Sequence, residues 1–176
     1  MDIKEKILPL KALIMDVDGV LTDGRIIIDS NGVESKQFDV RDGHGLKMLD
    51  RSGVALALLT GRRSPVINRR AAELGIEIVF QRCYDKLKAY HQIRERLKLG
   101  DHEIAYIGDD LVDIPVLLKV GFAATVADAD PEVVPVVDWQ ASRPGGRGAV
   151  RELCRLIMQI QGSWDKALAR YLISGS

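Results

Sequence analysis

Five short apolar runs, separated by segments with helical periodicity, constrain the fold more than any other feature of the sequence. They occupy residues 10–15, 54–59, 76–80, 104–107 and 122–126. Apolar runs without alternation are typical of strands buried on both faces of a parallel sheet. Helical patterns fill residues 45–52, 64–74, 85–99 and 113–120. Strands that alternate with helices predict right-handed crossovers and an α/β fold with a doubly wound, Rossmann-like parallel sheet.

One segment interrupts this alternation directly after the first strand. Residues 25–28 are rich in isoleucine, residues 29–32 form a strong turn sequence, and residues 33–40 can return as a second strand. We predict a β-hairpin inserted at about residues 25–40. Because a lone hairpin is only marginally stable in water, it is expected to pack on another part of the fold or on a second subunit.

The length of 176 residues predicts a single domain over residues 1–176. A glycine-rich loop and a helix are expected at about residues 144–176. The loop begins at Pro144, and the helix runs from about Ala149 to Gln161. The last dozen residues are expected to form a frayed helix.

Charge and composition argue against several classes of protein. The 25 basic and 25 acidic side chains balance and are interspersed, which argues against a nucleic-acid partner. The apolar runs are far shorter than the ~20 residues of a membrane-spanning helix, and the first residues do not have the pattern of a secretory signal. Cys83 and Cys154 have no metal-binding spacing and are expected to be reduced thiols. A cytoplasmic protein without a membrane partner is therefore expected.

Two acidic residues, Asp16 and Asp18, follow the first buried strand directly. In an open parallel sheet, ligands bind at the carboxyl ends of the strands. Two carboxylates at that position repel each other and lose solvation unless a cation compensates them. A solvated turn is the alternative interpretation of this Asp-Val-Asp-Gly sequence.

The later strands end in groups that suit a phosphate ester and a metal ion. These are Thr60, Gly61 and Arg62 after the second run, Lys86 at the start of the next long helix, and Asp109, Asp110 and Asp113 after the fourth run. Thr60 could instead be a plain helix cap and Lys86 a solvated lysine. Together, however, the carboxylates favour Mg²⁺, and a metal with a lysine beside a phosphate is the machinery of phosphoryl transfer.

These elements, in this order, resemble the haloacid dehalogenase-like superfamily of phosphotransferases. The resemblance implies that Asp16 is the nucleophile and Asp18 the general acid and base. It implies a Mg²⁺ site formed by Asp16, the carbonyl of Asp18, Asp109 and Asp110, with Asp113 in support. Thr60, Gly61 and Lys86 would hold the phosphoryl group. The short gaps between the motifs imply a member without a large cap domain.

The chain is also similar to the 3-deoxy-D-manno-octulosonate 8-phosphate phosphatases of lipopolysaccharide biosynthesis. The similarity lies in residues 16–24, 40–43, 108–110 and 145–151. It implies a phosphorylated sugar acid as substrate and a homotetramer assembled through the hairpins, whose neighbouring subunits help to close each active site. The implied substrate contacts are Asp18, Asp39, Val40, Arg41, Asp42, Gly43, Lys47, Arg62, Arg70 and Lys86. Arg62 and Arg70 could form a fork for the sugar carboxylate.

Three alternatives stay open at this point. A phosphatase of a nonulosonate 9-phosphate would carry the same catalytic motifs, because these act on the phosphate. A non-catalytic oligomerisation module is a candidate from a different class. A receiver domain of a signalling relay also places Asp, Thr and Lys on a doubly wound sheet, but it would hold its phosphate rather than release it.

Overall fold

The computed structural model describes residues 2–172 and is built around a six-stranded parallel sheet. The strands are β1 (Ala12–Met15), β2 (Ile27–Ile28), β3 (Glu34–Ser35), β4 (Ala55–Leu59), β5 (Ile78–Phe80), β6 (Ile104–Ile107), β7 (Phe122–Thr125) and β8 (Trp139–Gln140). The large sheet has the order β5-β4-β1-β6-β7-β8, and every neighbouring pair in it is parallel. The predicted doubly wound sheet is confirmed. The short strand β8 was not predicted.

Helices cover both faces of this sheet. They are α1 (Ile3–Ile7), α2 (Val40–Arg51), α3 (Pro65–Leu74), α4 (Lys86–Leu97), α5 (Ile114–Leu117), α6 (Ala149–Ile160) and α7 (Trp164–Ala169). Along β1, Leu13 and Met15 pack in a core shared with α2, α3 and α6, whereas Ala12 and Ile14 pack in a second core with α4 and α5. Both faces of the strand are therefore buried, which is why its sequence is apolar without alternation.

The topology brings the ends of β1 and β6 together at one edge. These strands are neighbours, but the chain leaves β1 toward β4 and leaves β6 toward β7. Such a reversal opens a crevice outside the carboxyl ends of the strands. Asp16 and Asp109, which follow the two strands, are placed at that crevice.

The inserted hairpin is present but shorter than predicted. Strands β2 and β3 pair antiparallel over two residues each, and they form a sheet of their own. Of the predicted return strand over residues 33–40, only Glu34–Ser35 forms; residues 36–39 are in neither a strand nor a helix, and α2 begins at Val40. Asp39 caps this helix by accepting a hydrogen bond from the backbone N–H of Arg41. Among residues 2–172, the hairpin is the only insertion between β1 and α2, so a large cap domain is absent there.

The predicted start of α2 at residue 45 is also wrong, by five residues. Two glycines in the first turns, Gly43 and Gly45, make the local helix preference weak. Tertiary packing overrides it. A Cβ on Gly45 would lie 2.9 Å from Cδ of Arg151, so the glycine lets α2 and α6 approach closely.

The C-terminal part agrees with the predicted loop and helix. Helix α6 covers Ala149–Ile160, and α7 covers part of the expected frayed helix, whose last residues 173–176 lie outside the described residues. Cys154 is buried and Cys83 half-buried, both as free thiols. In the described part of the chain, no helix has the length and apolar character needed to cross a membrane.

A buried carboxylate joins α2 to the start of α6. Asp42 is 1% exposed, and its two oxygens accept hydrogen bonds from the backbone N–H groups of Gly148 (3.1 Å) and Arg151 (2.7 Å). Gly148 precedes α6 and has no side chain that could cap the helix. Asp42, which lies on α2, instead accepts hydrogen bonds from N–H groups at the start of α6. Burial raises the pKa of Asp42, while these two hydrogen bonds oppose the rise.

We expect the variant Asp42→Ala to destabilise the protein by about 1–3 kcal/mol, because it leaves the backbone N–H groups of Gly148 and Arg151, at the start of α6, without their partner. For a chain of this size the unfolding temperature should fall by roughly 2–4 °C per kcal/mol. Thermal unfolding followed by circular dichroism measures this. The control is Asp50→Ala, an exposed aspartate on the same helix, which should change little. Equal effects of the two variants would contradict the capping role.

Candidate active site

A cavity of about 350 Å³ opens at the carboxyl ends of β1, β4 and β6. Its lining includes every residue for which the sequence predicted a catalytic or phosphate-binding role, together with three further predicted site residues. These are Asp16, Asp18, Thr60, Gly61, Arg62, Lys86, Asp109 and Asp110. The sheet topology therefore brings these groups together in one cavity, as expected from their positions after the strands.

Lys86 lies at the centre of the charges beneath this cavity. Its Nζ is 2.7 Å from Oδ2 of Asp16 and 2.5 Å from Oδ1 of Asp113, and its side chain is only 3% exposed. Burial lowers the pKa of Lys86, but the two carboxylates outweigh it and raise the pKa above its usual value. The lysine is therefore a fixed cation, although it opens a helix where the dipole disfavours positive charge.

Asp113 organises the turn after β6. It is fully buried, and it accepts hydrogen bonds from the Tyr106 hydroxyl as well as from Lys86. Its second oxygen accepts the backbone N–H groups of Asp109 (3.1 Å) and Asp110 (3.2 Å). These four bonds fix the direction in which Asp109 enters the site.

Asp16 and Asp109 are held close together by the fold. Burial and the charge of Asp113 raise the pKa of Asp16 to about 7, although Lys86 opposes the rise. Burial, followed by the charges of Asp16 and Asp113, raises the pKa of Asp109 to about 8. A cation between these carboxylates would remove the repulsion.

The donor set fits Mg²⁺. One oxygen each of Asp16, Asp109 and Asp113 lies within 4.8 Å of the others. Oδ1 of Asp109 is buried and has no hydrogen-bond partner among residues 2–172. An orphaned carboxylate oxygen beside a second carboxylate is a hard ligand of the kind that Mg²⁺ prefers.

Gly19 makes this approach of carboxylates possible. Its φ is +89°, and a Cβ at this position would lie 2.0 Å from Oδ2 of Asp109. Any side chain would therefore both strain the turn and collide with the carboxylate. The glycine of the Asp-Val-Asp-Gly sequence is required by geometry.

Comparisons with known proteins agree with this geometry. Residues 39–121 match the haloacid dehalogenase-like hydrolase family. The chain is 43% identical to the 3-deoxy-D-manno-octulosonate 8-phosphate phosphatase KdsC of Escherichia coli strain B / BL21-DE3 over 166 residues, which are 94% of this chain and 88% of that protein. It is 44% identical to KdsC of Salmonella typhi over 90% of this chain and 84% of that protein. The chain belongs to the haloacid dehalogenase-like hydrolases.

A solved structure extends the comparison to ligands. The phosphatase of the same name from Moraxella catarrhalis was solved in complex with a magnesium ion, a phosphate ion and a KDO molecule. It superposes with a TM-score of 0.94 at 42% identity, and the match covers 96% of this chain and 97% of that one. This haloacid dehalogenase-like hydrolase is a phosphoric monoester hydrolase, and Mg²⁺ is its cofactor. When bound, Mg²⁺ offsets the negative charge of the carboxylates and of the phosphoryl group.

Thr60 and Gly61 directly follow β4 and line the cavity. The Thr60 side chain is buried, and its hydroxyl accepts the backbone N–H of Arg62 at 3.3 Å. A Cβ added to Gly61 would have the carbonyl oxygen of Cys83 as its nearest neighbour, at 3.8 Å, so the backbone of this glycine is open. Both positions are compatible with contact to a phosphate oxygen.

Asp110 has a different environment from Asp109. It is exposed at the cavity rim, and its carboxylate accepts the backbone N–H of Leu111 at 2.7 Å. The three carboxylate oxygens that converge come from Asp16, Asp109 and Asp113. The predicted contact of Asp110 with the metal stays a prediction.

Most of the predicted sugar contacts lie away from this cavity. They are Asp39, Val40, Arg41, Asp42, Gly43, Lys47 and Arg70, all on α2, its cap or α3. Arg70 lies over the ring of Phe38 and pairs with Glu73 at 3.3 Å, while Arg62 faces Asp18 and Glu34. The two arginines have different partners, and the predicted fork of Arg62 and Arg70 stays a prediction.

Sequence reasoning missed three residues that surround the site. Tyr106 hydrogen-bonds Asp113 from inside β6, and Glu34 and Lys36 of the hairpin reach Asp18 and Arg62. Tyr106 stands in an apolar run that predicts a buried strand. A hydroxyl at such a position needs a hydrogen-bond partner, and this was the one signal that the sequence offered. Nothing local distinguishes Glu34 and Lys36 from solvated hairpin residues.

We expect Mg²⁺ to raise the unfolding temperature, because it binds the folded carboxylates and not the unfolded chain. At a Mg²⁺ concentration of about 100 times the dissociation constant, binding should raise the free energy of unfolding by about 2.7 kcal/mol. This corresponds to a rise in unfolding temperature of roughly 5–10 °C. Asp109→Asn should abolish the shift, and Asp110→Asn should preserve most of it. Differential scanning calorimetry with and without chelator checks this, and an Asp109→Asn protein that keeps the full shift would contradict the assignment.

The raised pKa values of Asp16 and Asp109 give this shift a pH dependence. Because both groups bind protons more tightly when folded, the metal-free protein loses stability as the pH rises from about 4 through about 8. Mg²⁺ competes with protons for the same oxygens. The Mg²⁺-induced rise in unfolding temperature should therefore be larger at pH 8 than at pH 6, and the reverse order would contradict the metal site.

Proposed function

We propose that this phosphatase hydrolyses 3-deoxy-D-manno-octulosonate 8-phosphate to the free sugar acid and inorganic phosphate, a step of lipopolysaccharide biosynthesis. The observation that carries the proposal is the similarity to KdsC phosphatases over 94% of the chain. The cavity supports it, because two cations, Lys86 and Arg62, are among its lining residues. A sugar acid phosphate carries two anionic groups that such a pair can bind.

Asp16 is proposed as the nucleophile. Its Oδ1 accepts the backbone N–H of Val17 at 2.7 Å, and its Oδ2 accepts Lys86, so the carboxylate is held at the strand end. It attacks phosphorus, a bond forms between the carboxylate and phosphorus, and the bond from phosphorus to the sugar oxygen breaks. Lys86, Thr60 and Gly61 hold the phosphoryl oxygens during this transfer.

Asp18 is proposed as the general acid and base. It gives a proton to the departing sugar oxygen in the first half of the reaction. In the second half it takes a proton from the water that attacks phosphorus and releases Asp16. Its place at the cavity wall, two residues from the nucleophile, allows both transfers.

A homotetramer is proposed as the working form. The hairpin and the start of α2 expose an unusual number of large apolar side chains, which are Ile26, Ile27, Ile28, Val33 and Val40. Val40, one of the predicted substrate contacts, is 80% exposed. A contiguous exposed apolar surface is typical of a protein interface. Assembly would also let Val40, Arg41 and their neighbours approach the active site of another subunit.

A cytoplasmic location is also proposed. It is supported by the free thiols of Cys83 and Cys154, since reducing compartments keep cysteines unpaired.

Phosphate release tests the substrate. We expect Mg²⁺-dependent release from octulosonate 8-phosphate at a kcat/KM at least about tenfold above that for nonulosonate 9-phosphates and hexose phosphates. Asp16→Asn should lower turnover by at least about 1,000-fold without unfolding the protein, because the nucleophile is lost. A preference for a nonulosonate would keep the chemistry and change the substrate. No release from any ester would favour the non-catalytic oligomerisation module.

Light scattering tests the assembly. The wild-type chain should have the mass of four subunits, and the double variant Ile26→Ser/Ile28→Ser should dissociate, because it removes apolar area from the hairpin. The control is Leu118→Ser, which changes an exposed apolar residue (67%) after α5. A monomeric wild-type protein, or equal masses for both variants, would refute the proposed interface.

A further inference from the structure

The hairpin places a buried ammonium group against Asp18. The side chain of Lys36 is only 1% exposed, although Lys36 directly follows the short strand β3. Its Nζ pairs with Oδ1 of Asp18 and lies 3.4 Å from Oε1 of Glu34. Burial of an ammonium costs several kcal/mol unless it is compensated by partners of opposite charge, so these contacts determine where the side chain sits.

Lys36 is one member of a ring of alternating charges. Glu34 accepts a hydrogen bond from Nη2 of Arg62 at 3.1 Å, and Nε of Arg62 lies 4.0 Å from Oδ2 of Asp18. The ring thus runs from Asp18 to Lys36, Glu34, Arg62 and back. Two of its four charges come from the hairpin and two from the strand ends of the large sheet.

The two oxygens of Asp18 differ in what they contact. Oδ1 is held by Lys36, whereas Oδ2 is buried and has no hydrogen-bond partner in the described part of the chain. Asp18 also lines the cavity. One oxygen is therefore anchored by Lys36, whereas the other has only the charge of Arg62 nearby and accepts no hydrogen bond from residues 2–172, so it can exchange a proton.

We propose that Lys36 is a positioning residue that anchors Oδ1 of Asp18 and thereby leaves Oδ2 to carry the proton in both halves of the reaction. The inference rests on the proposed role of Asp18. It makes the hairpin part of the active site of its own chain. Lys36 is not among the residues that line the cavity.

The two halves of the reaction give this role a kinetic signature. When a phosphate ester has a poor leaving group, such as a sugar alcohol, Asp18 must give a proton to the departing oxygen. p-Nitrophenolate leaves without a proton, so phosphorylation of Asp16 by p-nitrophenyl phosphate does not need Asp18. Hydrolysis of the phospho-aspartate still needs it, because the attacking water must lose a proton.

The experiment is stopped-flow kinetics of Lys36→Met with p-nitrophenyl phosphate and Mg²⁺. We expect a burst of one p-nitrophenolate per active site at about the wild-type rate of phosphorylation. Steady-state turnover should then be slower by about 10- to 100-fold, a part of the 10²–10⁴ typical of general acid–base catalysis. With a sugar phosphate, the same variant should show no burst. Lys36→Arg should recover part of the turnover, since it keeps the anchoring charge.

Two control variants make the result specific. Lys88→Met changes an exposed lysine on α4 and should behave as the wild type. Asp18→Asn should reproduce the burst and the slow turnover of Lys36→Met. Full turnover in Asp18→Asn would overturn the proposed function itself, which separates that failure from the failure of the inference about Lys36.

Either of two results would overturn the role of Lys36. If Lys36→Met lost the burst and the turnover together while remaining folded by circular dichroism, the lysine would serve phosphorylation or binding instead. If it lost neither, the contact would be incidental. Should Lys36→Met fail to fold, Glu34→Gln releases the ammonium from its other side and should show the same pattern more weakly. Unchanged kinetics in folded Glu34→Gln would then overturn the role.

Discussion

The ion pairs of Lys86 with Asp16 and Asp113 are the interaction on which the rest of the site depends. They join the ends of β1, α4 and the segment after β6, and all three side chains are nearly inaccessible to solvent. Without the lysine, two buried carboxylates would face each other in a medium of low dielectric constant, at a cost comparable with a large part of the net stability of a domain. The sheet edge is stable because a cation is fixed between the acids.

The turn at residues 19–23, which follows Asp18, is supported by the backbone of a glycine-rich loop. Gly145 and Gly146 pack so tightly on residues 19–23 that a Cβ on Gly145 would lie 1.8 Å from the carbonyl oxygen of Gly19. Gly146 donates its N–H to the carbonyl of Val20 at 2.9 Å. The loop leads directly into α6, whose start is held by Asp42. The position of a helix far along the sequence thus bears on the turn that directly follows Asp18, although no side chain of α6 lines the cavity.

The sequence predicted those parts of the site that follow from local pattern. Asp16, Thr60 and Asp109 each end an apolar run, and parallel strands end at a common edge, so the pattern of runs is enough to imply their convergence. Contacts between distant segments have no local pattern. Asp42 caps α6 through backbone groups that lie 106 and 109 positions later in the sequence. The contact of Lys36 with Asp18 likewise joins separate segments and has no local pattern. The early start of α2 escaped prediction for the same reason, because packing on α6 outweighs the weak helix preference of its glycines.

The hairpin shows how one insertion serves two surfaces. Side chains alternate along an extended strand, so residues two apart share a face. Glu34 and Lys36 are turned inward to Asp18 and Arg62, while their neighbours Val33 and Ser35 are exposed. The inner face carries charges because it meets the charged end of the sheet. The outer face, on which Ile27 pairs with Ser35, carries the exposed apolar side chains of Ile27 and Val33. Any partner that covers the outer face also restricts the motion of β3, which Lys36 directly follows. Assembly on the outer face and the placement of Asp18 on the inner face therefore depend on the same few residues.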